Sequence, residues 1–468
     1  MAFSCDNTGM AIDTSILTIH TALEMLGTGQ MTPAELTEAC QRQIEQHNPE
    51  LNAFITLCDV IASDVEQSPA GEELASPRAA GLTITLEHIP LAIKDLYDLA
   101  GYPTTAGTSF FRDKVAEHDA VVVEKLKGVG ALIIGKTSTH EIAYGVTGNN
   151  PHFGASRNPW DPTRIPGGSS SGSAIAVAAG MCMGALGTDT GGSIRIPAAL
   201  CGIVGLKPTY GRVSLRGVFP LSWSLDHAGP MARSIRDVAL MLQIMAGYDP
   251  LDPGCAEVPM DDYLGGIQGG IRGWRVAVAA GDYFEDLDDE VASVFGRAIN
   301  AFEGLGCTLN RLDLSYLREA AIANSVMIGA DASAVHQERM EANSAGFGAD
   351  VRKRLEIGAN RSGTEYALAR RTQTEMIRRM EQLFADYDVL LMPTVPIPAP
   401  PIEGGDALEQ AQRLTRFTGP FNLTGLPALS LPCGFTSNKL PIGLQIVSGR
   451  WAEAKVLQAG HAYETAAN

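Results

Sequence analysis

Apolar residues in this chain recur with two periods, and the switches between them predict an alternation of helices and strands. Leu36, Ala39, Cys40 and Ile44 share a helical stripe behind Thr32-Pro33-Ala34-Glu35, a capping box with proline in the first turn, so a helix is expected from there to about His47–Pro49. Leu82 to Leu86 alternates like a strand, and the run Leu91 to Ile93 after Pro90 reads as a strand delivering the chain to Lys94 and Asp95. A helix over Asp119–Gly128, a short apolar strand over Ala131–Ile134 and a small-residue helix over Ala174–Ala179 continue the rhythm of an α/β sheet. Further helices are expected over Ser234–Ala246, over Asp288–Gly304 and from Ala452. Strands are expected over Val276–Ala279, Val389–Met392, Ala428–Pro432 and Gly443–Val447. The Pro-, Gly- and Asp-rich stretch Asp249–Gly273 reads as surface loop, and Pro393–Pro401 as extended chain. A long, charged, helical stretch from about 320 to 387 stands apart as a cap or insertion.

With 468 residues, 45% of them hydrophobic, the chain can bury a large core. The Gly and Ser tracts lie between hydrophobic runs rather than forming a linker, so one large domain spanning 1–468 and carrying the insertion is expected. The net charge of −18 repels phosphate backbones and anionic membranes alike, so neither nucleic acid nor membrane is expected as a direct partner. The first 30 residues lack a basic region followed by an uninterrupted apolar stretch, and no later run reaches membrane-spanning length, which predicts a cytoplasmic protein. Cys5, Cys40, Cys58, Cys182, Cys201, Cys255, Cys307 and Cys433 form no C-x-x-C pair and read as reduced, mostly buried thiols. His140-Glu141 lacks the second histidine of a metal helix, so no metal is expected, and no cofactor.

Two clusters carry the chemistry: Pro166-Gly167-Gly168-Ser169-Ser170-Ser171-Gly172-Ser173 and Gly187-Thr188-Asp189-Thr190-Gly191-Gly192-Ser193-Ile194-Arg195-Ile196-Pro197. Glycine at this density inside a packed region implies backbone that approaches a ligand or takes positive φ. The residues before Ser193 offer successive main-chain N–H groups able to cradle an oxyanion. Serine needs a base, yet neither cluster holds a histidine. Lys94, flanked by Leu91, Ala92, Ile93 and Leu96, is the natural candidate, because desolvation favours the neutral amine.

The run Gly167–Pro208, with Lys94 upstream in Ala-Ile-Lys-Asp, resembles the amidase signature family of serine hydrolases. Gly135-Lys136-Thr137, Arg157-Asn158-Pro159-Trp160 and Leu440-Pro441-Ile442-Gly443-Leu444-Gln445 extend the likeness over most of the chain. The resemblance implies an α/β/α sandwich around a mixed, mostly parallel twisted sheet. It also implies a triad of Ser193 as nucleophile, Ser169 as bridging serine with a cis peptide bond, and Lys94 as base. The oxyanion donors would be the N–H groups of Thr190, Gly191, Gly192 and Ser193, with Asp189, Arg195 and Ser170 bracing the loop. Amide bonds, and by the same chemistry esters or carbamates, would be cleaved through an acyl-enzyme.

Three rival readings bear on this one. Gly130–Thr137 matches the P-loop pattern, but its middle residues Ala-Leu-Ile-Ile read as buried strand. Gly168-Ser169-Ser170-Ser171-Gly172 matches the elbow of α/β hydrolases with Ser170 as nucleophile, without a convincing downstream histidine among His227, His336 and His461. Gly346-Phe347-Gly348 through Arg354 resembles the glutaminase component of tRNA-dependent amidotransferases, although that subgroup's aspartate for the glutamine amino group falls near Thr415. The preferred reading is a stand-alone amidase, monomeric or homodimeric, with no obligate partner. Its substrate is expected to be a small, neutral, rather apolar amide or carbamate, an aryl amide included. Ala143, Tyr144 and Gly145 are expected on the acyl side of the pocket, with Trp223 and the 320–387 region on the leaving-group side.

Overall fold

A computed structural model describes residues 12–60, the backbone of 78–79 and 82–83, and 84–467. Eleven strands form one sheet: β1 (Phe54–Leu57), β4 (Pro90–Lys94), β5 (Leu132–Thr137), β6 (Gly184–Thr188), β7 (Val204–Lys207), β8 (Ala228–Ala232), β9 (Arg275–Ala280), β10 (Thr308–Asp313), β11 (Val389–Pro393), β12 (Ala428–Phe435) and β13 (Pro441–Val447). Two short strands, β2 (Arg78–Ala79) and β3 (Leu82–Thr83), pair separately. The order across the large sheet is β1-β5-β4-β6-β8-β7-β12-β13-β11-β9-β10.

The sheet is mixed, as expected, but it is not mostly parallel. The parallel pairings form two blocks, β5-β4-β6 and β11-β9-β10, and every pairing between them is antiparallel. The α/β alternation of the first two hundred residues builds the first block. The later strands join by hairpin and long-range pairings that periodicity does not encode. β4, β5, β6, β7, β8, β11 and β13 are almost wholly buried along their length, which requires cover on both faces. Helices supply it, among them Ser171–Ala178 against β6, Arg195–Cys201 against β7, β12 and β13, and Glu453–Ala467 against β12.

Local signals hold where side chain and backbone agree. Thr32 Oγ1 accepts from Glu35 N, and the Glu35 carboxylate accepts from Thr32 N, completing the capping box. That helix runs on through Pro49 to Leu51, past the expected stop, because Asn52 ends it in the left-handed conformation. Of the strand expected over Leu82–Leu86, only Leu82–Thr83 forms. All seven described cysteines are free, and Cys5 lies outside the described residues. No helix among the described residues is long and apolar enough to cross a membrane.

Between β10 and β11 the chain forms three helices, Leu317–Asn343, Ala349–Ala359 and Gly363–Asp386, which realise the expected helical stretch. The first crosses the second so closely that a Cβ on Gly358 would press on the carbonyl oxygen of Gly329 and on Ser333 Oγ. Ser333 Oγ also donates to the carbonyls of Gly329 and Leu355, stitching the crossing. Gly358→Ala should therefore spread these helices and cost about 1–3 kcal/mol, read as a lower midpoint in urea unfolding.

Candidate active site

The parallel neighbours β4 and β6 end side by side, with Ile93 opposite Leu186, so Lys94 and Thr188 emerge together at their carboxyl ends. Lys94 is fully buried, and its Nζ lies 2.7 Å from Ser169 Oγ and 2.7 Å from Thr188 Oγ1. Among the described residues no carboxylate is bonded to it. Burial pushes the ammonium down to about 7, and the more distant charges of Asp189 and Asp226 only partly oppose this. A neutral amine is therefore available near neutral pH to accept a proton from Ser169.

Ser169 precedes the helix Ser171–Ala178 and follows a cis Gly168–Ser169 peptide bond, as the family resemblance implied. Ser170 N donates to Ser193 O at 3.2 Å, which ties the two glycine-rich clusters to each other. Ser170 Oγ meets both the N–H and the carbonyl of Thr188 at 3.2 Å. It is thus a brace, fully buried, and not an exposed nucleophile on an elbow.

The loop from Asp189 to Ser193 is shaped around a buried ion pair. Arg195 grips Asp189 with two bonds, Nη2 to Oδ1 at 2.8 Å and Nε to Oδ2 at 2.9 Å, both residues fully buried. It also donates to Thr418 O, Gln445 Oε1 and Asn422 Oδ1. Burial alone would raise the Asp189 carboxyl, but the Arg195 guanidinium outweighs it, aided by Lys207 and Asn422, and holds it well below the usual range. Asp189 accepts in turn from the N–H groups of Gly192 at 2.8 Å and Ile194 at 3.1 Å. This corrects one expectation: the Gly192 N–H is spent on Asp189 and is not an oxyanion donor. The N–H groups of Thr190, Gly191 and Ser193 have no protein acceptor among the described residues.

Ser193 opens onto a cavity of about 720 Å³, whose floor is Thr190, Gly191 and Ser193 and whose walls come from distant segments. Ala143, Tyr144 and Gly145 line it as expected, and so do Asn324, Ile328 and Gly329 of the long helix. Trp223 does not. It is 55% exposed, its carbonyl accepts from Tyr210 Oη, and Leu221 lines the cavity in its place. Charge also reaches the cavity, because Arg318, Arg354, Arg361 and Arg416 line it from later segments. Three of them are matched by carboxylates, Arg361 by Glu365, Arg416 by Asp286 and Arg318 by Asp282, at 2.8 to 3.3 Å. Arg354 lies over the Tyr144 ring and donates to Ala407 O. Its Nε has no hydrogen-bond partner among the described residues, and Asp350 stands 4.0 Å away. The P-loop match is a buried strand, in which Lys136 pairs with Asp95 at 2.8 Å.

With a lysine on two hydroxyls, a serine on a cavity floor and unspent N–H groups beside it, the comparisons with known proteins decide the lineage. The amidase family model matches residues 35–457. The chain belongs to the amidase family, hydrolases that act on the C–N bond of amides. It is 39% identical to the A subunit of the glutamyl-tRNA(Gln) amidotransferase of Roseiflexus sp. (strain RS-1), over 96% of each chain. Among solved structures it is similar to a protein of a vestigial complex tied to the origins of an s-triazine catabolic enzyme (TM-score 0.87, 30% identity, 96% of this chain and 98% of that one). It is also similar to 6-aminohexanoate cyclic dimer hydrolase (TM-score 0.86, 30% identity, 97% and 98%).

Thr188, Asn422, Thr418 and Gln445 complete this amidase's site, yet sequence reasoning did not single them out. Thr188 lies in the second glycine-rich cluster and Gln445 at the end of Leu440–Gln445, but only the fold shows what each one touches. Arg195→Ala should leave Asp189 buried and uncompensated, costing about 3–5 kcal/mol, measurable by chemical denaturation.

Proposed function

We propose that this amidase forms an acyl-enzyme on Ser193, with Lys94 as base and Ser169 as relay, on small amides whose acyl part carries a carboxylate. The observation that carries the mechanism is the fully buried Lys94 amine, 2.7 Å from the Ser169 hydroxyl, with hydroxyls as its only bonded partners among the described residues. Neutral Lys94 takes the Ser169 proton as Ser169 takes that of Ser193, and Ser193 Oγ attacks the amide carbon. The N–H groups of Thr190, Gly191 and Ser193 receive the negative oxygen. As the C–N bond breaks, the proton returns through Ser169 to the departing nitrogen. Water, deprotonated by the same relay, then cleaves the ester and restores Ser193.

The charge of the cavity supports the substrate class. Arg354 lines its wall with its nearest carboxylate, Asp350, as far off as 4.0 Å, and among the described residues no carboxylate lines the cavity. An anionic acyl group gains a charge-assisted bond there, whereas a free ammonium finds no counter-charge. This reading departs from the neutral, apolar amide expected from the sequence.

A second reading rests on the relatives' names: the chain would be the glutamine-hydrolysing component of a tRNA-dependent amidotransferase, working with partner subunits. These names weigh for that reading and against the expectation of no obligate partner. Thr415 on the cavity wall, where that subgroup places an aspartate, weighs against free glutamine. The deciding assay compares glutamine, ω-amides of dicarboxylic acids and neutral aryl amides, with the chain alone and with candidate partner subunits. Turnover of the dicarboxylic monoamides by the chain alone, abolished by Ser193→Ala, supports the main reading. Glutamine turnover only with partners present installs the second.

Two further outcomes are expected. Because the amine must be neutral, kcat/KM should rise about tenfold per pH unit below about 7 and level off above it; a rate falling from pH 6 to 9 refutes Lys94 as base. Arg354→Met should raise KM for anionic amides about 10- to 100-fold while leaving neutral amides within about twofold, measured by steady-state kinetics.

A further inference from the structure

We infer that Asp226 is a positioning residue for the oxyanion loop, acting through the Thr190 hydroxyl. β6 and β8 pair antiparallel with Thr188 opposite Ala228, and the pairing continues one step beyond the strands: Asp189 N donates to His227 O at 2.8 Å, and His227 N to Asp189 O at 3.1 Å. The same register sets Thr190 opposite Asp226. Thr190 Oγ1 donates to Asp226 Oδ1 at 2.6 Å. The other oxygen, Oδ2, accepts from the N–H groups of Leu221 at 2.8 Å and Ser222 at 3.0 Å. Both residues are buried.

This carboxylate does two things that the Asp189–Arg195 pair does not. It fixes the residue that joins two donor peptides, since Thr190 is held by its own side chain from one side, and its carbonyl, which shares a peptide with the Gly191 N–H, accepts from Asn324 Nδ2 at 3.4 Å from the other. It also joins that residue to the helices over the cavity. Ser222 and Ser224 donate to Asp331 Oδ2, and Tyr366 Oη donates to Oδ1 of the same residue. Asp331 lies on the helix Leu317–Asn343 and Tyr366 on Gly363–Asp386. A displacement of either helix is thereby passed through residues 221–226 to the donor beside Ser193.

The inference rests on Ser193 being the nucleophile with Thr190 N–H among its oxyanion donors, and the test separates the two ideas. Thr190→Val keeps the main-chain N–H and the branched shape and removes only the hydroxyl. Its kcat should fall about 10- to 100-fold with KM within about twofold, since the oxyanion exists only along the reaction path. Asp226→Asn should lower kcat similarly, and the double variant should be no worse than the poorer single one.

Asp226→Asn has a second signature. Lys94, Tyr97 and Tyr210 are the titratable groups that share the field of Asp226, and Asp189 is the other anion acting on Lys94. Removing the Asp226 charge disfavours the Lys94 ammonium, so the acid limb of kcat/KM should move to lower pH, which mere loosening of the fold does not produce. Unchanged kcat in Thr190→Val, a loss carried by KM, or additive losses in the double variant would overturn the inference while leaving Ser193 in place. Full activity in Ser193→Ala would instead remove the reading on which it stands. If Asp226→Asn fails to fold, Thr190→Val decides by itself.

Discussion

The buried pairing of Asp189 with Arg195 is the constraint on which the site depends. Two charges at zero exposure are tolerable only if each finds its full set of partners, and here they do. Arg195 spends its donors on Asp189, Thr418, Asn422 and Gln445, and Asp189 spends its oxygens on Arg195, Asn422 and the N–H groups of the serine loop. The loop that presents Ser193 is therefore a product of the segment from Thr418 to Gln445 as much as of its own glycines. It also explains why Gly192 contributes conformation and not a donor. Its φ of 134° lets the chain turn so that its N–H meets Asp189 while the N–H groups on either side stay free.

Three lysines are equally buried, and their partners tell them apart. Lys136 is held by the Asp95 carboxylate, while Lys207 donates to the carbonyls of Pro208 and Leu426. Lys94 meets only the hydroxyls of Ser169 and Thr188. A carboxylate fixes the ammonium, and a carbonyl can accept a hydrogen but never supply one. A hydroxyl does either, so Lys94 alone of the three can lose and regain a proton without leaving a partner unsatisfied.

Much of this was legible in the chain. The glycine-rich clusters, the apolar approach to Lys94 and the capping box at Thr32 are local signals, and the fold respects each. What escaped is non-local. The antiparallel middle of the sheet joins β7 to β12, with Lys207 opposite Ala428, and no periodicity reports such a register. Trp223, expected on the leaving-group side of the pocket, is not on the cavity. The chain turns there so that Leu221 faces inward while Trp223 faces solvent. The arginines of the cavity were invisible for the same reason, since they arrive from residues 318 to 416.

The sheet and the helices above it carry different burdens. Every group bonded to Lys94 or to the Asp189–Arg195 pair is buried, whereas Ile322 and Ile357, on the helical wall of the cavity, are 60% and 45% exposed. Replacing a side chain at such a rim costs the core almost nothing. A lineage built on this plan can drift from one acyl or amine group to another along that rim, its chemistry inherited intact, so kinship in sequence records the shared reaction more faithfully than it records what each descendant consumes.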